Sequence, residues 1–384
     1  METKIIRIAI LELECHAEVL RSFVQLVKDQ PNFSLQVFTT KAILEESALP
    51  QDDLECTLMG AGESKLNFLR RIKEKVERNE VLLLNTWQQD YGVFNRVEWK
   101  IPVVLRVHNV NDLFRDESRW DFSLHTSWKL SLKRFLNGEA AQKKIFRNRV
   151  SQWMFPSTEI GEWTIGNKRL DQKRVFHPPI PFVFRERSFK KEVISEKPFK
   201  VVISGAVDPM RRDYEFAFEV FKQLKQQEVG PFQLVLLGEF RAASELGREV
   251  ELMRSLGIEI IIFEKLVSQE EFDQHLLEAD VLFAPIRLET NFHTSEEIYG
   301  KTKVSGSVNE AIRFQKVILI HEDYRFPENE NHLRLPYGDV ASCVTQLERT
   351  IKREVLVTSE NDHSEYLREN QLSILKEGIN RITQ

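Results

Sequence analysis

The sequence predicts an α/β protein of two domains, each built from a parallel β-sheet covered by helices. Short apolar runs alternate along the chain with longer segments whose apolar residues recur at helical spacing, which is typical of strand–helix–strand units. A stretch that is first proline-rich and then polar, residues 177–197, divides this alternation into two series. The length of 384 residues also suits two domains of roughly 100–200 residues each.

The composition is that of an ordinary globular protein. Hydrophobic residues make up 42% of the chain and charged residues 29%, enough for two cores. The formal net charge of −5 argues against nucleic-acid binding. The three cysteines lack a CxxC spacing, which argues against a disulfide framework or a zinc site and suits a reducing cytosol. Because no apolar run reaches the ~18 residues of a membrane-spanning helix, we expect a cytoplasmic protein.

The first domain is predicted to span residues 1–182, and residues 41–60 within it are expected to be irregular. Strands are predicted at 5–11, 35–38, 81–84, 103–107 and 152–155, and helices at 14–28, 65–78 and 159–165. Polar residues follow two of these strands, namely Asn85, Thr86, His108 and Asn109. They stand where open α/β sheets bind ligands, outside the carboxyl ends of the strands.

The second domain is predicted to span residues 199–358, after a linker at 183–198. Strands are predicted at 201–203, 234–237, 258–263, 281–284 and 317–320, and helices at 213–227, 241–255, 269–278, 305–314, 340–355 and 364–382. The final helical segment has no strand partner. We therefore expect residues 359–384 to return to the first domain.

Residues 201–214, VVISGAVDPMRRDY, indicate an anion-binding turn. An apolar strand ends at Ser204-Gly205, and Arg211 and Arg212 stand just before the next helix. Free backbone N–H groups, the helix dipole and two guanidinium groups all favour an anion such as phosphate. The alternative is an ordinary turn with surface arginines.

Three segments are more distinctive than this outline. VSQWMFPSTEIGEWTI closes a short strand in Pro-Ser before a helix, SGAVDPMRRDYE carries basic residues after a turn, and LLEADVLFAPI precedes EIYGKTKVSGSVNEAI with its two glutamates. In this order they resemble the GT-B glycosyltransferases that use nucleotide sugars, in particular the retaining, group 1 type. Twelve residues lie between Glu297 and Glu310, more than in the usual pattern of that branch. The first domain also has Glu14-Cys15-His16 where many members have a Gly-Gly turn.

The resemblance implies two Rossmann-like domains whose parallel sheets face each other across a cleft, with the C-terminal helix crossing back to the first domain. It places the nucleotide sugar on the second domain and the acceptor on the first. Glu297, facing the transferred sugar, and His108, near the sugar or acceptor, are the catalytic candidates. The donor-binding candidates are Gly205, Arg211, Arg212, Lys303, Ser305, Gly306, Ser307 and Glu310.

Arg212 matches the position of the basic residue that the family directs at the donor diphosphate, and the resemblance places Glu310 on the ribose hydroxyls. No cofactor and no metal is expected, because cations and helix N-termini would stabilise the charge of the leaving diphosphate. Each candidate has a structural alternative. Ser305 and Ser307 could cap a helix, the helix dipole favours Glu310 by itself, Glu297 could be a surface acid, and His108 could be a structural hydrogen-bonding residue.

The expected function is transfer of a hexosyl or related sugar to a saccharide or lipid-linked acceptor, with retention of configuration, in polysaccharide or glycoconjugate synthesis. Residues 119–149 contain eight basic and two acidic residues interleaved with aromatic ones. This pattern suits contact with an anionic membrane at the inner face of the plasma membrane, or else a solvated helix with its aromatic residues in the core. The alternative function is that of a catalytically silent protein of the same fold that binds a sugar or nucleotide.

Overall fold

The computed structural model describes residues 5–49, 54–114, 138–168, 170–186, 198–241, 245–292, 295–354 and 364–384. The chain divides into two compact units. The first comprises Met1–Phe184, Asn291–Glu297 and Arg368–Gln384, and the second comprises Arg185–Thr290 and Ile298–Leu367. Each unit contains its own six-stranded sheet.

The sheet of the first unit is parallel throughout. Its strands are β1 (Ile6–Glu12), β2 (Phe33–Thr39), β3 (Glu55–Leu58), β4 (Val81–Leu84), β5 (Val103–Arg106) and β6 (Gln152–Met154). Their order is β3-β2-β1-β4-β5-β6, so the direction in which strands are added reverses between β1 and β4. That reversal opens a crevice at the carboxyl ends of β1 and β4, the usual ligand position in such sheets.

Seven described helices accompany these strands along the chain. They are α1 (Ala17–Val27), α2 (Lys41–Ser47), α3 (Lys65–Val76), α4 (Tyr91–Asn95), α5 (Val110–Phe114), α6 (Glu139–Arg149) and α7 (Thr158–Lys168). The prediction that residues 41–60 are irregular was wrong. Ile43 and Leu44 bury the apolar side of α2 in the core, and β3 pairs with β2 as an edge strand. Both elements are too short and too polar to give a clear periodicity.

The sheet of the second unit is also parallel. The strands that follow β6 are β7 (Phe199–Ser204), β8 (Phe232–Glu239), β9 (Glu259–Phe263), β10 (Val281–Ala284), β11 (Glu289–Phe292), β12 (Ser295–Ile298), β13 (Ile318–His321) and β14 (Arg334–Tyr337). The sheet order is β14-β13-β10-β7-β8-β9, while β11 and β12 pair only with each other. The sequence did not predict β11, β12 or β14.

Five helices follow β7 before the C-terminal segment. They are α8 (Tyr214–Gln226), α9 (Glu245–Ser255), α10 (Gln269–Glu278), α11 (Gly306–Arg313) and α12 (Val340–Ile351). The core between helix and sheet is rich in aromatic side chains. Phe218 and Phe221 of α8 are 1% and 0% exposed and pack with Phe283 of β10 and Tyr337 of β14 in one cluster. This core holds the carboxyl end of β7 in place.

The last helix, α13 (Arg368–Thr383), belongs to the first unit, so its predicted return is confirmed. Leu375 and Ile379 are buried in the core of that unit. Gly378 lies directly against the ring of Phe176, where any β-carbon would overlap the ring. The predicted fold class, two Rossmann-like sheets with a returning C-terminal helix, is therefore correct. Among the described helices, none is both long and apolar enough to cross a membrane.

Candidate functional site

A tight turn follows β7 in the second unit. Gly205 has φ +88°, a conformation that glycine adopts without strain, and a β-carbon there would lie 2.7 Å from Nη2 of Arg212. The N–H of Gly205 donates to the carbonyl of Leu237 over 2.9 Å. Gly238 follows Leu237 and has no room for a β-carbon, because that atom would overlap the carbonyl of Gly205. The ends of β7 and β8 therefore approach each other closely.

A cavity of about 560 Å³ lies at this edge of the sheet. The turn residues Gly205 and Asp208 line it from β7, and Gly238 and Glu239 line it from β8. Leu266 and Phe272 add apolar surface. The cavity therefore lies outside the carboxyl ends of two adjacent parallel strands, where open α/β sheets bind ligands.

The two candidate arginines have different environments. Arg212 is 8% exposed and donates from Nη2 and Nη1 to the carbonyls of Ser204 and Ala206. Its Nε is buried and has no hydrogen-bond partner among the described residues. Arg211 keeps 52% of its side chain exposed and lies 3.3 Å from the carboxylate of Asp208. The alternative that both arginines lie at the surface therefore holds only for Arg211.

Helix α11 begins beside this turn. Ser305 precedes it without a side-chain capping bond, so the capping alternative for Ser305 is wrong. Ser307 is 1% exposed, and its hydroxyl donates to the carbonyl of Ser204 over 3.3 Å. Gly306 is exposed, and a β-carbon there would meet nothing within 4 Å. Lys303 is partly buried, and its carbonyl accepts from the N–H of Gly300 over 2.8 Å in the preceding turn.

Glu310 lies in the second turn of α11, because the helix begins at Gly306 and not earlier. The helix dipole by itself favours an acid in the first turn, so the alternative that it alone accounts for Glu310 is wrong. Burial raises the pKa of Glu310 to about 7, although the hydroxyl of Ser204 and the charges of Arg212 and Arg313 lower it. A buried carboxylate beside an arginine is a candidate for ligand recognition.

Ser204 Oγ and Glu310 Oε2 are buried in this region, where the hydroxyl of Ser204 faces the carboxyl of Glu310. Arg212 Nε and Asn309 Oδ1 are buried beside them and have no hydrogen-bond partner among the described residues. Each such atom costs about 1–3 kcal/mol when it stays unpaired. Because these polar atoms lie together at one end of the sheet, they indicate a site where a ligand with hydroxyl or phosphate groups would form hydrogen bonds with them.

His108 lies at the corresponding edge of the first unit, after β5. It is 7% exposed, and its Nε2 donates to the carbonyl of Asn85 over 2.8 Å. Its ring stacks on His16 at a centroid distance of 3.8 Å and on Phe182 at 4.3 Å. These contacts are those of the structural alternative, and a catalytic role for His108 stays a prediction.

A polar network that the sequence did not reveal surrounds this pair of histidines. Glu12, fully buried, accepts from the N–H of Glu14 over 2.7 Å and from Nδ2 of Asn85 over 2.6 Å. Nη1 of Arg106 donates to Oδ1 of the same asparagine over 3.1 Å. Burial raises the pKa of Glu14 to about 7, against the nearby charge of Lys65. The sequence signal was the polar segment ELECH at a strand end, of which we had noted only that Glu14-Cys15-His16 stands in place of a Gly-Gly turn.

Glu297 is fully buried in β12 and belongs to the first unit. Its Oε1 accepts from the N–H of Asp112 over 2.7 Å, and its Oε2 accepts from the N–H of Asn111 over 3.2 Å. The surface alternative for Glu297 is therefore wrong, because the carboxylate binds the first backbone N–H groups of α5. Glu310 belongs to the second unit.

The basic segment 119–149 is described only from residue 138 onward; residues 119–137 lie outside the described residues. Lys143 in α6 is 2% exposed, and its Nζ donates to the carbonyl of Asp112 over 2.9 Å. Lys143 therefore has no surface with which to contact a membrane, contrary to expectation. Lys144 and Arg149 of the same helix are exposed.

The sequence matches no family model and no curated protein. Its fold matches solved structures over nearly the whole length of both chains. HepE of Anabaena in complex with UDP-glucose is 12% identical, with a TM-score of 0.53 over 98% of this chain and 97% of that one. MnaA of S. aureus with UDP is 13% identical, with a TM-score of 0.54 over 99% and 98%.

A third similar structure is the UDP-GlcNAc 2-epimerase of Neisseria meningitidis bound to UDP-GlcNAc. It is 11% identical, with a TM-score of 0.52 over 98% of this chain and all of that one. At such low identity these likenesses concern the fold. Together with the two parallel six-stranded sheets and the returning C-terminal helix, they show that this chain has the GT-B fold.

Proposed function

We propose that the second unit binds a nucleoside-diphosphate sugar and that the protein transfers the sugar to a saccharide or lipid-linked acceptor. The observation that carries the proposal is the cavity beside the Gly205 turn together with the unpaired polar atoms next to it. A nucleotide offers this region an apolar base face, ribose hydroxyls and a diphosphate. No single simpler ligand class would match all three kinds of surface.

The parts of the site suit the parts of such a ligand. Leu266 and Phe272 line the cavity with apolar surface for the base. The Oε2 of Glu310 is an acceptor for ribose hydroxyls once the carboxylate ionises. The exposed Gly306 at the start of α11 leaves room for a phosphate to reach backbone N–H groups. Three similar structures contain UDP, UDP-glucose or UDP-GlcNAc, which makes uridine nucleotides the first ligands to test.

Binding is tested by thermal unfolding with a panel of nucleoside diphosphates and nucleotide sugars. A ligand at 100 times its dissociation constant stabilises the folded state by about 2.7 kcal/mol, which shifts the unfolding temperature measurably. We expect a shift with one nucleoside diphosphate in the wild type and a much smaller shift in Glu310→Ala. If no member of the panel shifts the wild type, the proposed function is wrong.

A second candidate function is epimerisation of a UDP-sugar, because the similar structures include UDP-GlcNAc 2-epimerases. The order of sequence motifs favours transfer. NMR of the nucleotide sugar during incubation separates the two activities. Transfer releases the nucleoside diphosphate when an acceptor is added, whereas epimerisation changes the sugar while it stays attached. A protein that binds the donor and does neither would be the catalytically silent alternative.

We further propose that transfer retains the anomeric configuration and serves polysaccharide or glycoconjugate synthesis, as the motif resemblance implies. Contact with an anionic membrane remains part of the proposal only for the exposed cations of α6, Lys144 and Arg149. Vesicle co-sedimentation of Lys144→Glu/Arg149→Glu tests it. Binding that is equal in wild type and variant would contradict membrane contact through this helix.

A further inference from the structure

Arg212 is folded back over the turn that precedes it. Two of its N–H groups are used on the carbonyls of Ser204 and Ala206, and the guanidinium group covers Gly205 closely enough that a β-carbon there would lie 2.7 Å from Nη2. Only 8% of the residue is exposed. A phosphate contact needs N–H groups that face the ligand in a fork. In this conformation most of that fork faces the protein's own backbone.

The carbonyl of Ser204 connects this arginine to helix α11. It accepts from Nη2 of Arg212 on one side and from the hydroxyl of Ser307, over 3.3 Å, on the other. Ser307 stands one helical turn before Glu310 on the same helix. Arg212 therefore helps to fix the end of β7 against the helix that carries Glu310.

Arg212 also acts on Glu310 through its charge. The groups that face this carboxyl are the Ser204 hydroxyl at the end of β7, Arg212, Arg313 on the same helix, and Asp273 on α10. Both arginines favour the ionised carboxylate, while Asp273 opposes it. Arg313 is already paired with Asp273 over 3.0 Å. The stabilising effect of Arg212 on the ionised carboxylate of Glu310 is therefore not offset by an ion pair with Asp273.

We propose that Arg212 is a positioning residue that braces the Gly205 turn and the ionised Glu310, and that it supports nucleotide binding through them without touching the diphosphate. This inference rests on the proposed function. The neighbouring Arg211 differs in each respect, since half of its side chain is exposed and its only described ion pair is with Asp208 at the surface. Arg211 is therefore the more exposed cation and the one that we expect to meet a phosphate.

The first test compares a ligand with phosphates and one without them. The dissociation constants of UDP and uridine are measured by titration calorimetry, with uridine in competition against UDP, for wild type, Arg212→Met and Arg211→Met. We expect Arg212→Met to weaken both ligands by the same factor, roughly tenfold or about 1.4 kcal/mol. Arg211→Met should weaken UDP alone. If Arg212→Met weakens UDP and leaves uridine unchanged, Arg212 contacts the diphosphate and the proposal is overturned.

The second test needs no ligand. Unfolding temperatures between pH 5 and 8 are measured for wild type, Arg212→Met, Arg212→Lys, Glu310→Gln and the double variant Arg212→Met/Glu310→Gln. In Arg212→Met the positive charge is lost, so stability should fall more steeply with rising pH than in the wild type. Adding Glu310→Gln should remove this difference. Arg212→Lys keeps the charge and should show the wild-type dependence of stability on pH. Additive effects of the two substitutions would show that Arg212 does not support Glu310.

The two tests distinguish the positioning role of Arg212 from the proposed function. If wild type binds neither UDP, uridine nor any other nucleotide of the panel, the proposed function fails and the nucleotide part of the inference fails with it. The ligand-free cycle then still decides whether Arg212 holds Glu310 in the free protein.

Discussion

The hydroxyl of Ser307, near the start of helix α11, donates a hydrogen bond to the carbonyl of Ser204 at the end of strand β7 over 3.3 Å. Both residues are 1% exposed. The bond connects the strand end that forms the turn with the helix that carries Glu310. It fixes the relative position of two segments that would contact different parts of a nucleotide.

Ser307→Ala should lower the free energy of unfolding by about 1 kcal/mol, because a buried hydrogen bond is lost and one acceptor loses a partner. Denaturant unfolding measures the change. Ser305→Ala is the matched control, since that hydroxyl makes no capping bond, and it should have a smaller effect. Equal effects of the two substitutions would show that the bond to Ser204 contributes nothing.

Gly306→Ala separates ligand binding from stability. A β-carbon at Gly306 meets nothing within 4 Å in the free protein, so the substitution should not destabilise it. If a phosphate approaches the backbone at the start of α11, the added methyl group would hinder it, and we expect weaker binding of nucleoside diphosphates in calorimetry. Gly166→Ala, in α7 and equally free of contacts, should leave binding unchanged. Undiminished binding by Gly306→Ala would place the phosphate elsewhere.

Glu310→Gln should flatten the dependence of stability on pH. The pKa of Glu310 is raised from 4.5 to about 7 in the folded state, so the folded protein retains a proton that the unfolded chain loses in this range. Stability therefore falls as pH rises from about 4.5 to 7 in the wild type, and the glutamine variant lacks this contribution. Thermal unfolding at several pH values measures it. Glu14 titrates in the same range, so the difference between the two proteins is the informative quantity.

Nucleotide affinity should change with pH in the opposite direction to stability. An ionised carboxylate is the better acceptor for ribose hydroxyls, so wild-type affinity should increase from pH 5.5 to 7.5. Glu310→Gln should bind more weakly and with little dependence on pH in this range. A wild-type affinity that is constant over the range would argue against contact between Glu310 and the ribose.

Gly378→Ala should disrupt the docking of the C-terminal helix. Any β-carbon at Gly378 overlaps the ring of Phe176, so either the helix or the ring must move, at a cost of typically 1–3 kcal/mol. Denaturant unfolding should show the loss, and limited proteolysis should cleave the C-terminal segment faster. Gly166→Ala again provides the control, because alanine in an exposed helix is better by up to about 1 kcal/mol. Stability equal to the wild type would contradict the described packing.

Chelation should leave the proposed transfer unchanged. The expectation follows from the basic residues and the helix start among the candidate donor-binding residues, which would stabilise the charge of the leaving diphosphate. Among the residues that the structure describes, no group of three or more His, Cys, Asp and Glu side chains could hold a metal ion. Donor turnover measured with and without EDTA tests the expectation, and activity that is lost with EDTA and restored by one metal would contradict it.

The elements that could be predicted from the sequence are those with strong local patterns. The strands Val81–Leu84 and Val281–Ala284 were predicted at the observed bounds, since each is a continuous apolar run buried on both faces. The paired strands β11 and β12 were missed because ETNF and SEEI contain no apolar run. Edge strand β3 was missed for the same reason, as its stability depends on pairing with β2.

The meeting of two candidate donor-binding segments was predictable, whereas their contacts were not. The turn at Gly205 and the start of α11 lie side by side in the second unit, as the strand–helix alternation implied. The burial of Glu297 and its capping of α5 were not predictable, because residues that are distant in the sequence provide the two N–H groups. The network of Glu12, Asn85 and Arg106 depends in the same way on three different strands meeting at one edge.

The sequence by itself determined most of the alternation of strands and helices and the presence of two α/β units, because these follow from the period of apolar residues along the chain. Only the tertiary structure decided what each polar side chain contacts. Arg211 and Arg212 are neighbours of one residue type, yet one lies at the surface and the other is buried against Ser204 and Ala206. Their difference depends on the direction in which the turn presents each side chain and on the neighbouring strand and helix, which no local pattern encodes.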